Sequence, residues 1–389
     1  MKSAQRLFIA QQKLAPLAFL GPAACVRPKA LSKISAYDAV TIFQGLSKWC
    51  VAIASAILLA GLLESKAQAQ TTLRGGGATF PYPMYARWFA EYHRLHQDIE
   101  IEYEPIGSGG GIREITAGVL DFGASDGPMD DNQLKDYRAK RGMEILHFPT
   151  VLGADVPTYN IPGVNAELKF TPEVLAGIFL GKITKWSDPQ LTEINADANL
   201  PNRNIIVVFR SDGSGTTYIW SDYLAKVSQE WDKEVGFGTL VPWPVGVGGQ
   251  GNAGVASVVK ETPYSIGYVE LAYAIKNKLP YGWVKNQAGN FVKADLESVT
   301  AAAAGVAQAM PDDFRVSITD APGEKAYPIS SFTWLLVPAK FNDKSKLKVM
   351  KDFLQWMLTD GQKLTEELQY APLPKEVVAK EQAAFSKVQ

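Results

Sequence analysis

The sequence predicts an α/β fold built as two lobes, with the chain crossing twice between them. Short β-branched runs alternate with amphipathic helical stretches, which is typical of α/β proteins. There is no internal repeat and no long linker, so we do not expect a string of separate domains. With 389 residues, 47% of them hydrophobic, the chain can bury one large core or two medium ones.

The first half of the chain predicts alternating strands and helices. Residues 73–77 predict a strand, and four aromatic side chains after it recur at helical spacing: Tyr85, Trp88, Phe89 and Tyr92. The elements expected next are a strand over 99–106, a helix with Ile112, Ile115 and Val119 on one face, a strand over 119–125 and a helix over 134–141.

The second half continues this alternation. A β-branched run predicts a strand over 204–210, followed by a helix over 214–227. Another helix begins near Asn252, an apolar strand covers 334–337, and the last fifty residues are largely helical.

The N-terminus has the features of a secretory signal peptide. Lys48 precedes an apolar run over residues 49–63, and Ala67 and Ala69 form an A-x-A ending. We therefore predict an N-terminal extension and signal peptide over residues 1–69, cleavage after Ala69 and a periplasmic location. The run is short for a membrane span of about 20 residues, and an uncleaved anchor is the alternative.

Charge and cysteine content exclude several function classes. The formal net charge of -1 argues against nucleic acid as the partner, and residues 70–389 hold 31 basic and 38 acidic residues, a net charge of -7. Both cysteines, Cys25 and Cys50, lie within residues 1–69, so the exported part offers no thiol nucleophile or thiolate ligand. Three histidines without a completing acidic set predict no metal site, and no cofactor is expected.

Three loops repeat one local design, in which a strand leads through Gly, Ser and Thr into a helix. They span residues 75–80, 107–111 and 212–216. A helix N-terminus carries unpaired N–H groups and a partial positive charge, and glycine allows close approach of a bound atom. Such ends bind anions. Each loop alone is better explained by ordinary helix capping, but three together, accompanied by an Arg, favour an anion site.

Two charged residues sharpen this hypothesis. Arg210 closes a predicted strand just before the third loop, and its planar fork suits bidentate pairing with phosphate or carboxylate oxygens. Asp212 lies close enough to steady that fork, although either residue could serve only a structural ion pair or a helix cap.

Asp126 follows a predicted strand and precedes a turn. A carboxylate in an anion site makes sense if the anion carries a proton, as phosphate does near neutral pH and sulfate does not. A site built around a substrate proton can reject the analogue that lacks it by roughly four to five decades. An ordinary Asp turn is the alternative.

Other motifs predict little. Residues 246–251 fit G-x-G-x-x-G, but Pro242 and Pro244 argue against a preceding strand, so a glycine-rich turn is expected. Gly181-Lys182 is not a Walker A loop, so ATP hydrolysis is assigned to a partner subunit. Ser214 does not lie in a nucleophile elbow, and no catalytic residue is predicted.

Several stretches resemble the phosphate-binding protein of the bacterial phosphate ABC transporter. They extend over nearly all of residues 72–375 in family order. The matching stretches are residues 77–81, 106–108, 121–126, 180–183 with 185–186, 212–216 and 266–270. The family's second loop usually reads Gly-Ser-Ser-Gly-Gly, and Gly109 here replaces the second Ser.

The resemblance implies a two-lobed periplasmic-binding-protein fold of type II, with a ligand cleft between lobes joined by a two-strand hinge. It implies a discontinuous first lobe of residues 70–151 plus 329–389 and a second lobe of residues 152–328. The phosphate ligands would be Thr79, Phe80 through its backbone N–H, Ser108, Asp126, Arg210, Ser214, Gly215 and Thr216, with Asp212 pairing with Arg210.

The function so predicted is that of a non-enzymatic, monomeric binding protein. It would capture inorganic phosphate and deliver it to the membrane permease subunits of an ABC importer with a separate ATPase. A phosphate-ester hydrolase on the same scaffold and a phosphate sensor without a transporter partner are the alternatives. The hydrolase would need an activated nucleophile or metals.

Overall fold

The computed structural model describes residues 70–389, so the predictions for residues 1–69 lie outside the described residues. The strands in this range are β1 (Thr71–Gly77), β2 (Ile99–Glu104), β3 (Phe122–Ser125), β4 (Ile145–Asn160), β5 (Lys169–Phe170), β6 (Ile206–Arg210), β7 (Val247–Gly249), β8 (Ser265–Glu270), β9 (Trp283–Lys285), β10 (Phe291–Val292) and β11 (Ser330–Pro338).

The same range contains the α-helices α1 (Tyr82–Leu95), α2 (Ser108–Ala117), α3 (Asp131–Arg141), α4 (Pro172–Phe179), α5 (Pro189–Ile194), α6 (Gly215–Val227), α7 (Gln229–Glu234), α8 (Gly251–Glu261), α9 (Leu271–Asn277), α10 (Leu296–Ala307), α11 (Lys344–Met357) and α12 (Lys375–Ala384). Strands and helices alternate along the chain, which confirms the predicted α/β class.

The main sheet has the strand order β2-β1-β3-β11-β4-β8-β6-β7, and β10-β9-β5 form a small second sheet. The three outer strands on each side of the main sheet are parallel, because β1 pairs with β2 and β3 on one side, and β6 pairs with β7 and β8 on the other. The central strands β11 and β4 run antiparallel to their neighbours and join these two parts.

Strand β4 carries the chain from one parallel part to the other. Its residues up to Ala154 pair with β11, and from Asp155 onward it pairs with β8. The chain returns just before β11, where the Asp155 N–H donates to the Ile329 carbonyl oxygen at 2.9 Å. The two parts of the sheet therefore meet at two adjacent chain segments, as expected for two lobes on a two-strand hinge.

This topology explains where a site forms. Parallel strands point their carboxyl ends to one edge of a sheet, and ligands of open α/β sheets bind outside those ends. Here β1 and β3 end at Gly77 and Ser125, and β6 ends at Arg210. Each end leads directly into residues that the sequence analysis selected.

Aromatic packing holds the helices on the sheet. Tyr85, Trp88, Phe89 and Tyr92 are all buried on α1, as their helical spacing predicts. The Tyr92 ring centroid lies 5.3 Å from that of Phe353 on α11, in an edge-to-face arrangement that aromatic pairs favour. The two helices therefore cover one face of the sheet together.

Two local predictions were wrong. Val119 is 64% exposed rather than part of the apolar face, because α2 ends at Ala117 and the left-handed backbone of its cap residue Gly118 (φ 78°) turns the chain away. The glycine-rich stretch 246–251 is not a simple turn, because Val247–Gly249 form edge strand β7 beside β6. Both prolines precede that strand and so do not interrupt its pairing.

Within residues 70–389, the longest apolar helices fall short of what a bilayer crossing requires.

Candidate anion-binding site

The three glycine-rich loops of the sequence analysis meet at one place. The Gly107 N–H donates to the Gly77 carbonyl oxygen at 2.8 Å, and the Gly109 N–H donates to the Gly213 carbonyl oxygen at 2.9 Å. The second loop is therefore bonded to both of the others. The Gly109–Gly213 hydrogen bond spans the two parallel parts of the sheet, because it links the loops that follow β2 and β6.

Close approach of these loops depends on glycine. A Cβ atom added to Gly109 would lie 3.0 Å from the Gly213 Cα. One added to Gly215 would lie 2.4 Å from Asp126 Oδ2 and 2.5 Å from Ser108 Oγ. Gly215, at the first position of α6, is therefore in contact with the carboxylate and hydroxyl that the other part of the sheet contributes.

Four helix N-termini converge here, one more than the sequence predicts. They are the starts of α1, α2, α6 and α8. The residues before α1, α2 and α8 (Pro81, Gly107 and Gln250) make no side-chain cap. At α6, Ser214 Oγ accepts the Thr217 N–H at 3.0 Å, so capping describes one role of Ser214. The hydroxyl proton of Ser214 stays available to a ligand.

Arg210 is 1% exposed and holds a fixed orientation. Its Nε and Nη2 donate to the two carboxylate oxygens of Asp212 at 2.8 and 2.6 Å, and its Nη1 donates to Thr216 Oγ1 at 3.1 Å. Burial opposes ionisation of Asp212, but the hydrogen bonds and charge of Arg210 outweigh it, so the pKa of that carboxyl is lowered. Asp212 therefore stays ionised and locks the guanidinium in place.

Asp126 is 1% exposed and directly follows β3. The Thr333 hydroxyl donates to its Oδ1 at 2.7 Å, and Ser108 Oγ lies 3.5 Å from its Oδ2. Burial raises the pKa of this carboxyl to about 7, although the Thr333 hydrogen bond and the charge of Arg210 act against the rise. Asp126 therefore changes between neutral and ionised forms near neutral pH.

Thr79 and Phe80 lie between β1 and α1. Thr79 is 6% exposed, and its hydroxyl oxygen accepts a hydrogen bond from Asn252 Nδ2 at 2.9 Å. The Phe80 ring is fully buried and its carbonyl oxygen accepts the Tyr370 hydroxyl at 2.7 Å, so only its N–H remains for a ligand. The structure thus brings the predicted ligand residues into one small region, with Asp212 beside Arg210.

A cavity of about 740 Å³ opens onto this region, with Thr79, Asp212 and Gly251 in its lining. It extends between Tyr82 and Tyr273. In the part of the chain that the structure describes, no group of three or more His, Cys, Asp or Glu side chains is placed to hold a metal ion.

The chain matches known proteins over most of its length. The profile of the PBP superfamily domain matches residues 64–361. The phosphate-binding protein PstS of Pasteurella multocida (strain Pm70) is 45% identical over 334 residues, which cover 85% of this chain and 95% of that protein. The chain belongs to the PstS family.

Further comparisons agree with this membership. The PstS protein of Xylella fastidiosa (strain Temecula1) is 44% identical over 315 residues, covering 81% of this chain and 85% of that protein. The crystal structure of an ancestral soluble variant of the human phosphate binding protein superposes with a TM-score of 0.66. At 20% identity, over 81% of this chain and 94% of that one, this likeness concerns the fold.

Two residues at the centre of this candidate site were missed from the sequence. Asn252, fully buried at the second position of α8, donates to both Thr79 and Thr216. Thr333, on β11, holds Asp126. No sequence pattern around Thr333 indicates a role in the site, because Thr333 is distant in sequence from Asp126. Asn252 could have been found, since it follows the glycine-rich stretch that was interpreted as a turn.

Two more buried carboxyl groups lie near the site. Asp155 and Glu270 are register partners where β4 pairs with β8, and both are fully buried. Burial raises the pKa of each well above its ordinary range, and repulsion from Asp126 adds to both effects. The Tyr370 hydroxyl, whose one proton goes to the Phe80 carbonyl oxygen, lies 2.9 Å from Glu270 Oε2. These groups favour the neutral form and limit the negative charge around the anion site.

Proposed function

We propose that this PstS family member captures inorganic phosphate at the meeting point of its three loops and delivers it to an ABC-type phosphate importer. The observation that carries the proposal is the position of Asp126. Its buried carboxyl group lies among hydrogen-bond donors, against Gly215 and Ser108. The names of the relatives, which are phosphate-binding proteins, agree with it.

The chemistry of the site fits a tetrahedral anion that keeps one proton. Helix N-termini, the hydroxyls of Ser108, Ser214 and Thr216, and the Arg210 guanidinium supply donors to the ionised oxygens. Asp126 supplies an acceptor for the remaining O–H. A fully ionised anion such as sulfate has no proton to donate to the Asp126 carboxylate. The repulsion between the two negative charges therefore gives selectivity for phosphate.

The same proposal covers the predicted ligand set and lobes. Thr79, the Phe80 N–H, Ser108, Asp126, Arg210, Ser214, Gly215 and Thr216 would contact phosphate, while Asp212 fixes Arg210. The lobes would be residues 70–151 with 329–389 and residues 152–328. The change of pairing partner along β4 at Asp155 supports a first boundary near residue 152.

The remaining predictions concern the cellular setting. We propose export of the chain by the signal peptide with cleavage after Ala69, a periplasmic location, and a monomer. It would dock on membrane permease subunits whose energy comes from a separate ATPase. Binding would proceed without turnover, so the protein would not act as an enzyme.

Calorimetric titration of the purified protein with phosphate and with sulfate tests the proposed function. We expect one phosphate per chain and a much weaker response to sulfate. Equal affinity for both ions would refute the role of Asp126. Incubation with a chromogenic phosphate ester separates binding from hydrolysis, because a stoichiometric binder releases no phosphate beyond background.

A further inference from the structure

The hydrogen bonds of Asn252 have a directional consequence for the anion site. This side chain is fully buried and makes three hydrogen bonds, two of them with threonine hydroxyls predicted to hold the ligand. Neutral amides donate from nitrogen and accept at oxygen. The direction of each hydrogen bond therefore follows from the partners that can only donate, such as a backbone N–H.

The orientation of the amide is decided by Glu270. The Glu270 backbone N–H lies 2.9 Å from Asn252 Oδ1 and can only donate, so this end of the amide must be the oxygen. The other end is then the NH2 group. It lies 2.9 Å from Thr79 Oγ1 and 2.9 Å from Thr216 Oγ1, so each of its two protons serves one hydroxyl.

Both threonine hydroxyls already accept all that they can. Thr216 Oγ1 accepts from Asn252 Nδ2 and from Arg210 Nη1 at 3.1 Å, and neither donor can act as an acceptor there. Thr79 Oγ1 accepts from Asn252 Nδ2 and from the Asn252 backbone N–H at 3.3 Å. A hydroxyl has two acceptor lone pairs and one proton. The proton is the one hydrogen-bonding position left to each oxygen.

We propose that Asn252 is a positioning residue that directs the hydroxyl protons of Thr79 and Thr216 toward the bound anion. A free hydroxyl can rotate to present either a lone pair or a proton. Asn252 occupies a lone pair of each threonine hydroxyl before the ligand binds, so both threonines can only donate to the anion. This inference rests on the proposed function, because it assigns a role within the same phosphate site.

The substitution Asn252→Asp tests the direction of these bonds with little change of shape. Its carboxylate keeps an acceptor for the Glu270 N–H but has no proton for the threonines. Both hydroxyls would turn to donate to it and would present lone pairs to phosphate. We expect phosphate affinity to fall roughly 10²-fold or more, as for two lost hydrogen bonds to a charged acceptor.

A double-mutant cycle separates the effect of the added charge in Asn252→Asp from the effect of the reversed hydroxyl groups. The same substitution is made in a Thr79→Val/Thr216→Val protein, where the charge is present but no hydroxyl can be misdirected. We expect its effect there to be at least ~10-fold smaller, because residues that act through each other are not additive. An equal loss in both backgrounds would overturn the proposal and leave Asn252 a packing residue.

Asn252→Ala gives a second test without any charge. It frees both hydroxyls to rotate, and we expect a loss of roughly tenfold that again requires the threonines. Unchanged affinity for phosphate would contradict the inference. If the unaltered protein binds no phosphate, the proposed function itself fails, which is a distinguishable result.

Asn286 offers a matched control. It is also buried, but its Nδ2 donates to backbone carbonyl oxygens of residues 323, 324 and 326, and its Oδ1 accepts the Asn290 N–H. Asn286→Asp should lower the unfolding temperature and leave phosphate affinity unchanged. A loss of affinity equal to that of Asn252→Asp would refute a specific role for Asn252.

Discussion

Replacing Asp126 by Asn is expected to change one atom of the site from a hydrogen-bond acceptor into a donor. The Thr333 hydroxyl donates to Oδ1 at 2.7 Å, so the carbonyl oxygen of the new amide should occupy that position. The NH2 group then takes the place of Oδ2, the atom nearest to Gly215 and Ser108. The part of the side chain that faces the ligand changes from an acceptor to a donor.

The size of the effect follows from the bond that is exchanged. A hydrogen bond to a charged group contributes ~1.5–3 kcal/mol, so phosphate should bind roughly 10- to 100-fold more weakly to Asp126→Asn. Sulfate loses a repulsion and gains a donor, and should bind more tightly by a similar factor. The ratio of phosphate to sulfate affinity should therefore contract by roughly 10²- to 10⁴-fold.

The assay is calorimetric titration of both ions at pH 8, where Asp126 is mainly ionised because its pKa is about 7. Asp121→Asn is the control, since Asp121 bonds to Lys346 and to the Arg74 N–H and is not part of the anion site. The control removes the same charge and should leave the affinity ratio as it was. An unchanged ratio in Asp126→Asn would refute the reasoning.

Three further predictions concern pH, space and stability. Burial raises the pKa of Asp126 to about 7, so its carboxylate becomes ionised above pH 7, and sulfate affinity should then fall by up to tenfold per pH unit. Calorimetric titration with sulfate from pH 6 to 9 checks this. In Asp126→Asn the sulfate affinity should not change with pH. Gly215→Ala should weaken phosphate binding by roughly 10- to 100-fold through overpacking against Asp126, whereas Gly305→Ala, with open space around it, should bind normally. Glu381 is fully buried, and neither of its carboxylate oxygens has a hydrogen-bond partner within residues 70–389. Burial raises its pKa, so it costs more stability as pH rises above the ordinary Glu range; Glu381→Met should therefore add ~1–3 kcal/mol in urea unfolding at pH 8 and less at pH 4, and an equal gain at both would contradict this.

Most of the secondary structure could be predicted because its signals are local. The aromatic spacing on α1 and the β-branched run of β6 depend on residues a few positions apart, and both elements form where expected. Strand β7 was missed because three residues, two of them glycine, have little strand propensity of their own. Its pairing with β6 comes from the rest of the sheet.

The candidate site was predictable in its residue types more than in its geometry. Loops of Gly, Ser and Thr before helices, with Arg210 and Asp126 at strand ends, indicate an anion site from the chemistry of each segment alone. That Asp126 lies against Gly215 required the fold, because these residues follow strands in different parts of the sheet. The same holds for Thr333, which reaches Asp126 from a strand that follows about two hundred residues later.

By itself, the sequence determined the α/β class, the resemblance to a phosphate-binding family and the donor-rich loops. The reason is that helix starts, strands and glycine turns each depend on residues that are close in sequence. Only the tertiary structure decided that Asn252 joins two of those loops and that Asp126 is buried deeply enough to titrate near pH 7. The physical reason is that burial and the direction of a hydrogen bond depend on which distant segments meet. The antiparallel pairing of β4 and β11 at the centre of the sheet brings those segments together.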